Sequence, residues 1–246
     1  MFAVTPDTLP PFRNAALLLD VDGTLLDFAA TPETVVVPPD LPETLRTIRD
    51  QLGGALAVIT GRTIEMIDKL LGDVPHAVAG EHGGAVRPGP GAAVERPDLK
   101  APPQSWIDRG AMLETAHPGS RFEQKPRGFG MHFRLAPEAG PAIYAALTDM
   151  IADSEDFHLL SGQMMWEIRP RGVDKGHGVE RLMQHAPFRG RVPVFIGDDV
   201  TDEDGLRVAR AMGGAGLWVP DVFGNAAGVR AWLQATASRG DWAALP

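Results

Sequence analysis

Two aspartates one residue apart, Asp20-Val21-Asp22, followed by Gly23-Thr24, end the apolar run Ala15-Ala16-Leu17-Leu18-Leu19. Residues two apart on an extended chain point to one side, so both carboxylates can look into one site. Gly23 lets the backbone turn sharply, and Thr24 adds a hydroxyl beside them. Such a pair can bind a cation, work on a reacting group, or simply form an acidic turn. A calcium loop starting at Asp20 fails on spacing, because it needs Gly at position 25 and Glu at 31, where Leu25 and Thr31 stand. The acidic turn stays open on this segment alone.

A second apolar run, Val192-Pro193-Val194-Phe195-Ile196, also ends in acids, Gly197-Asp198-Asp199-Val200-Thr201-Asp202-Glu203. A capping box on Thr201 accounts for Asp202, Glu203 and Asp204 as ordinary acids of a helix's first turn. It leaves Asp198 and Asp199 unexplained. If the two strands are neighbours, Asp20, Asp22, Asp198 and Asp199 converge at one edge of a sheet. Like charges in one site raise each other's pKa, and a hard divalent cation, Mg2+ beside phosphate, relieves the conflict. Positive groups come from elsewhere. Thr60-Gly61-Arg62 ends a strand and opens a helix, offering a hydroxyl and backbone N–H groups to an anion. Lys175 opens another helix, against the macrodipole, and calls for a compensating anion. A solvated surface lysine explains that position equally well by itself.

The elements that must hold these groups alternate. Strand-like runs lie at Leu17–Asp20, Ala55–Thr60, Ala77–Gly80, Val192–Gly197 and Gly216–Val219. Helical patterns lie at Leu41–Gln51, Ile64–Leu71, Gly176–His185, Glu203–Ala211 and Asn225–Ala237. Strand then helix, repeated, predicts an α/β fold: a doubly wound parallel sheet of Rossmann-like type. The middle reads differently, with a helix near Pro103–His117 and strands near Arg121–Lys125 and Met131–Leu135. A helix near Pro137–Ala152 and strands near Phe157–Leu160 and Met164–Arg169 follow. Strand pairs without intervening helices suggest an inserted α+β domain over 84–172, leaving 1–83 and 173–246 as the core. About 115 positions separate Thr60 from Lys175, where one βα unit needs roughly 25–30.

The chain has 246 residues, a formal charge of −9, 44% hydrophobic residues and no cysteine. That balance argues against a nucleic-acid or anionic-membrane partner and rules out thiolate chemistry. No stretch approaches the ~20 apolar residues of a membrane span, and no signal peptide is read, so a cytoplasmic location is expected.

Together, Asp20-Val21-Asp22-Gly23-Thr24, Thr60-Gly61-Arg62, Lys175 and Gly197-Asp198-Asp199 resemble, in order, the four motifs of the haloacid dehalogenase superfamily. The insert occupies the position of its C2-type cap. The resemblance implies that Asp20 is a nucleophile forming an aspartyl phosphate, and that Asp22 is the acid–base. It implies that Thr60 and Lys175 hold the phosphoryl group, with Gly61 and Arg62 as substrate-binding residues. It also implies that Asp20, the Asp22 backbone carbonyl and Asp198 bind Mg2+. Finer segments resemble the trehalose-6-phosphate phosphatase family: Ala79-Gly80-Glu81-His82-Gly83, Phe122-Glu123-Gln124-Lys125, Met131-His132-Phe133-Arg134 and Trp166-Glu167-Ile168-Arg169-Pro170-Arg171-Gly172. By that likeness Glu123, Lys125 and Glu167 hydrogen-bond the distal glucose, and His132 and Arg134 belong to the same binding surface. The chain departs modestly, with Glu81 and Arg169 where some members carry an uncharged residue and Lys. On the residues alone, Glu123/Lys125, His132/Arg134 and Glu167/Arg169 fit slightly better as the wet face of an antiparallel sheet. His82 reads as a loop histidine. The expected function is Mg2+-dependent hydrolysis of a sugar phosphate, trehalose 6-phosphate foremost, with a synthase as a separate chain. Phosphatases for sucrose phosphate or mannosyl-phosphoglycerate, a phosphomutase and a non-catalytic sugar-phosphate sensor are the alternatives.

Overall fold

The computed structural model describes residues 9–29, 34–125 and 127–246. Two compact units result, one of Met1–Arg96 with Val173–Pro246 and one of Pro97–Gly172. In chain order the first unit begins with strand β1 (Ala15–Leu19), helix α1 (Leu41–Gln51), β2 (Leu56–Ile59), α2 (Ile64–Leu71), β3 (Ala77–Gly80) and β4 (Ala85–Arg87). The second unit holds α3 (Gln104–Ala116), β5 (Arg121–Lys125), β6 (Gly128–His132), α4 (Gly140–Ile151), β7 (Phe157–Gly162) and β8 (Met165–Pro170). The first resumes with α5 (Lys175–Leu182), β9 (Val192–Gly197), α6 (Glu203–Ala211), β10 (Ala215–Trp218), α7 (Val219–Val222) and α8 (Ala226–Arg239).

The first unit is built on a six-stranded sheet in the order β10-β9-β1-β2-β3-β4, parallel except for β4. All five residues of β1 are buried, as expected of a strand covered on both faces. From β1 the chain steps outward through β2 and β3, then returns to β9 on the other side of β1. Right-handed crossovers put α1 and α2 on one face and α5 and α6 on the other. The direction of winding therefore reverses between β1 and β9, and open α/β sheets bind ligands at the carboxyl ends of strands flanking such a point. The register Leu19↔Ile196 sets Asp20 and Gly197-Asp198 side by side at that edge.

The insert starts later than position 84. Ala85–Arg87 pairs antiparallel with Ala77–Gly80, and Val86 exchanges backbone hydrogen bonds with Glu95, so this segment extends the first sheet. The far boundary falls between Gly172 and Val173. Within the second unit, four antiparallel strands run β5-β6-β8-β7. One face packs α3 and α4 over a core that includes Phe129, Met131, Ile143, Leu147 and Ile168. Strand β6 begins three residues before the expected Met131, because a tight hairpin pairs Lys125 with Gly128. Gly128 and Gly130 concealed the strand, since glycine is depleted in strands. Arg134 consequently lies in the turn after β6, so His132 and Arg134 do not share a strand face.

Leu18 is fully buried in the middle of the first sheet, whereas Val36 is 77% exposed. Leu18→Ala should lower the stability of this unit by about 3 kcal/mol, while Val36→Ala stays within about 0.5 kcal/mol, both read from urea unfolding.

Candidate active site

Asp20 lies at the carboxyl end of β1, 3% exposed, its N–H donating to the Ile196 carbonyl at 2.9 Å. Lys175, the first residue of α5, reaches it with Nζ 2.6 Å from Oδ1. The same ammonium donates to Asp202 Oδ1 at 2.6 Å. Helix α5 begins there because the Asp174 carboxylate accepts from the His177 N–H at 2.8 Å.

Asp202 is fully buried, contrary to its reading as a first-turn helix acid. Its Oδ2 accepts from the N–H groups of Asp198 and Asp199, at 3.2 and 3.0 Å. The capping residue of this turn is Asp199 rather than Thr201: its carboxylate accepts from Val200 N–H at 2.7 Å, while Asp202 completes the box. The Asp202 side chain fits because residue 197 has none; a Cβ there would stand 2.4 to 2.7 Å from its atoms. Sequence pattern could not separate this acid from Glu203 and Asp204, since only the fold brings Lys175 to it.

Asp198 accepts from Thr24 Oγ1 at 2.9 Å. Gly23, with φ of 88°, leaves room for that carboxylate, which any side chain at 23 would overlap. Carboxylate oxygens of Asp20, Asp198 and Asp202 lie within 4.8 Å of one another. Burial first, then Asp202, raises the Asp20 pKa well above its usual value, with Lys175 opposing. Burial also pushes Asp198 up to about 6, against the Thr24 hydrogen bond. For Lys175, burial acts downward, but Asp20 and Asp202 outweigh it and the ammonium is held charged. One cation is thus short of neutralising three buried or half-buried acids. The donors are all hard oxygens, so the cluster fits a divalent metal ion. Asp202 is committed to Lys175 and two N–H groups, leaving Asp20 and Asp198 as the carboxylates best placed to hold one.

The Asp22 carboxylate is not in this cluster. Arg62 Nε and Nη2 donate to its two oxygens at 2.6 and 2.7 Å, a bidentate fork. Only the backbone carbonyl of Asp22 is left for the metal role expected of it. Thr60 is 1% exposed at the end of β2, and its hydroxyl accepts from the Arg62 N–H at 3.2 Å. Gly61 joins them, so Thr60, Gly61 and Arg62 form one turn beside the acids.

In the second unit, Glu123, Gly130 and Glu167 are register partners across β5, β6 and β8. They stand on the face opposite the apolar core. Lys125 Nζ lies 2.9 Å from Glu167 Oε1, both side chains at least nine-tenths buried. His132 Nε2 lies 2.8 Å from Glu123 Oε2. Burial acts to raise the Glu123 pKa, but His132 and Lys125 overcome it and hold it low. Arg134, in the turn after β6, has Nη2 3.4 Å from Gln163 Oε1. These are four hydrogen-bonding side chains on one face, with two carboxylates able to accept from hydroxyl groups.

Comparison with known proteins bears on this geometry. Residues 18–227 match the family described as Trehalose-phosphatase. A probable trehalose-phosphate phosphatase of Sinorhizobium fredii is 35% identical over 233 residues, covering 94% of this chain and 88% of that protein. The trehalose-6-phosphate phosphatase of Escherichia coli is 36% identical over 204 residues, covering 81% and 75%. Among solved structures, the C-terminal domain of C. albicans trehalose-6-phosphate phosphatase superposes with a TM-score of 0.78 at 21% identity, covering 92% of each chain.

The raised carboxylates make metal and pH linked. A carboxylate whose folded pKa exceeds its unfolded value stabilises the fold at low pH, and that contribution is lost as pH rises through the folded value, about 6 for Asp198. The Tm of metal-free protein should therefore fall as pH rises from about 4 to about 6.5 and level off above that, and added MgCl2 should raise it more at the higher pH. Asp198→Asn should remove most of the magnesium effect and part of the pH effect in thermal melts.

Proposed function

The chain belongs to the trehalose-phosphatase family, and from that premise we propose that it hydrolyses trehalose 6-phosphate to trehalose and inorganic phosphate. The observation that carries the mechanism is Asp20 at the end of β1, held by Lys175 at 2.6 Å beside Asp198, with Asp22 two residues on. An Asp20 carboxylate oxygen attacks phosphorus, and the bond from phosphorus to the sugar oxygen breaks. Asp22 gives its proton to that oxygen, and the sugar leaves neutral. A water molecule then attacks the aspartyl phosphate, passing its proton to Asp22. Asp20 is released as a carboxylate, Asp22 is protonated again, and phosphate departs. A carboxylate nucleophile in this way divides one difficult displacement into two.

Thr60, the Gly61 N–H and Lys175 hold the phosphoryl oxygens as charge develops, and the Arg62 N–H, which donates to the Thr60 hydroxyl, holds that hydroxyl in place. Mg2+, held by Asp20, Asp198 and the Asp22 carbonyl, supplies charge neutralisation at the phosphoryl group when bound. In the second unit, Pro97–Gly172, the side chains of Glu123, Lys125, His132, Arg134 and Glu167 recognise sugar hydroxyls. Carboxylates suit that task because each can accept two hydroxyl hydrogens, and Lys125 orients them. A synthase on a separate chain would supply the substrate. Among the described residues no helix is long and apolar enough to cross a membrane, which is compatible with a cytoplasmic setting.

Two experiments test the reading. Asp20→Asn should abolish phosphate release, by at least about a thousandfold, while circular dichroism and Tm show a folded protein. Retained turnover would overturn the nucleophile. Across trehalose 6-phosphate, sucrose 6-phosphate and glucose 6-phosphate, wild-type phosphate release should favour the first. Glu123→Ala should lower kcat/KM for it about tenfold or more while a small aryl phosphate loses little. Equal losses would remove the second unit from substrate choice.

A further inference from the structure

The segment Gly80-Glu81-His82-Gly83 takes no part in that chemistry, yet it is the most strained backbone near it. Glu81 and His82 have φ of 53° and 56°, consecutive left-handed residues that both carry a Cβ. Such backbone persists only where its surroundings over-determine it. The surroundings are the phosphate-side turn. Glu81 N–H donates to the Arg62 carbonyl and His82 N–H to the Thr60 carbonyl, each at 2.9 Å. Glu81 is itself anchored: Arg96 Nη1 lies 2.8 Å from both of its carboxylate oxygens, and the Glu81 side chain is 7% exposed.

The His82 ring, 7% exposed, packs over Gly61: a Cβ at 61 would come 2.6 Å from Nε2 and 2.8 Å from Cε1. Both carbonyls flanking Gly61 are therefore tied to this pair of residues, and the space above Gly61 is filled by imidazole. Beyond the turn, the Arg62 side chain is forked on Asp22.

We propose that His82 is a positioning residue, which with Glu81 clamps the Thr60-Gly61-Arg62 turn so that Arg62 holds the Asp22 carboxylate in line for proton transfer. The inference rests on the phosphatase reading for the meaning of that orientation. A misplaced acid costs most where the leaving oxygen needs a proton, as an alkyl alcohol does, and least where it departs unaided, as nitrophenolate does.

His82→Gly is the informative variant, because glycine keeps the left-handed backbone and its N–H and removes only the ring. It should leave Tm within a few degrees of wild type and KM nearly unchanged. It should lower kcat for an alkyl phosphate that wild type turns over by roughly 10–100-fold, and spare the pre-steady-state burst of nitrophenol from nitrophenyl phosphate. Combined with Arg62→Lys, it should add little to the loss from Arg62→Lys alone, since both act on one element. Equal losses on the two substrates, or additive losses in the double variant, would overturn the proposal.

A second arm needs no turnover. The stability coupling between Asp22→Asn and Arg62→Lys, measured by urea unfolding, should be present with His82 and collapse in the His82→Gly background. An unchanged coupling would overturn the proposal even if the substrate assignment stood. A collapsed coupling would uphold the clamp of His82 on the Arg62–Asp22 pair, and if every phosphate ester then proved inert it is the phosphatase reading that would fall.

Discussion

A buried ammonium shared by two buried carboxylates is the constraint on which the first unit depends. Lys175, Asp20 and Asp202 have side chains exposed by 4%, 4% and 0%. Removing charges from water is expensive, and mutual attraction offsets the cost only when geometry and further hydrogen bonds are good. Here the geometry spans three separate parts of the chain: the end of β1, the start of α5 and the turn after β9. None can shift without leaving a buried charge unpaired. A lysine at a helix N-terminus, unfavourable by the macrodipole, becomes favourable because two carboxylates meet it there.

Five aspartates crowd this edge of the sheet, and their partners divide the work among them. Asp202 is occupied by Lys175 and two backbone N–H groups, Asp199 caps a short turn, and Asp22 is forked by Arg62. Asp20 and Asp198 keep raised pKa values because less compensates their burial. Residual electrostatic deficit of this sort marks a place for a ligand or metal, whereas Asp199 and Asp202 hold the turn after β9.

The second unit solves a similar problem with a different device. Its sheet keeps aromatic and aliphatic residues on the face under α3 and α4, and puts Glu123, Lys125, His132, Glu167 and Arg169 on the other. Lys125 crosses from β5 to Glu167 on β8, and Gly128 lets β6 lie close to β8, where a Cβ would stand 2.2 Å from the Ile168 carbonyl oxygen. Polar side chains paired in this way hold one another in fixed directions.

Much of this was legible in the residues. The apolar runs ending in acids placed β1 and β9, and strand–helix alternation gave the parallel core, because hydrophobic periodicity reports burial on one face or two. The order of the motifs and the length between Thr60 and Lys175 placed an insert, and Asp20, Asp22, Thr60, Lys175 and Asp198 do gather at one edge. Other features depended on contacts between residues far apart in the chain. The span 84–96 joined the first sheet through pairing of Val86 with Glu95, which no local pattern announces. Strand β6 was hidden by its glycines. Asp202 looked like any first-turn acid until Lys175, 27 positions away, was brought to it. His82 looked like a loop histidine until its ring came to rest on Gly61. Local composition determined which chemistry was at hand and which elements would carry it. Only tertiary packing decided which acid is neutralised by which base, because that choice depends on burial and on distances of a few ångströms across the sheet.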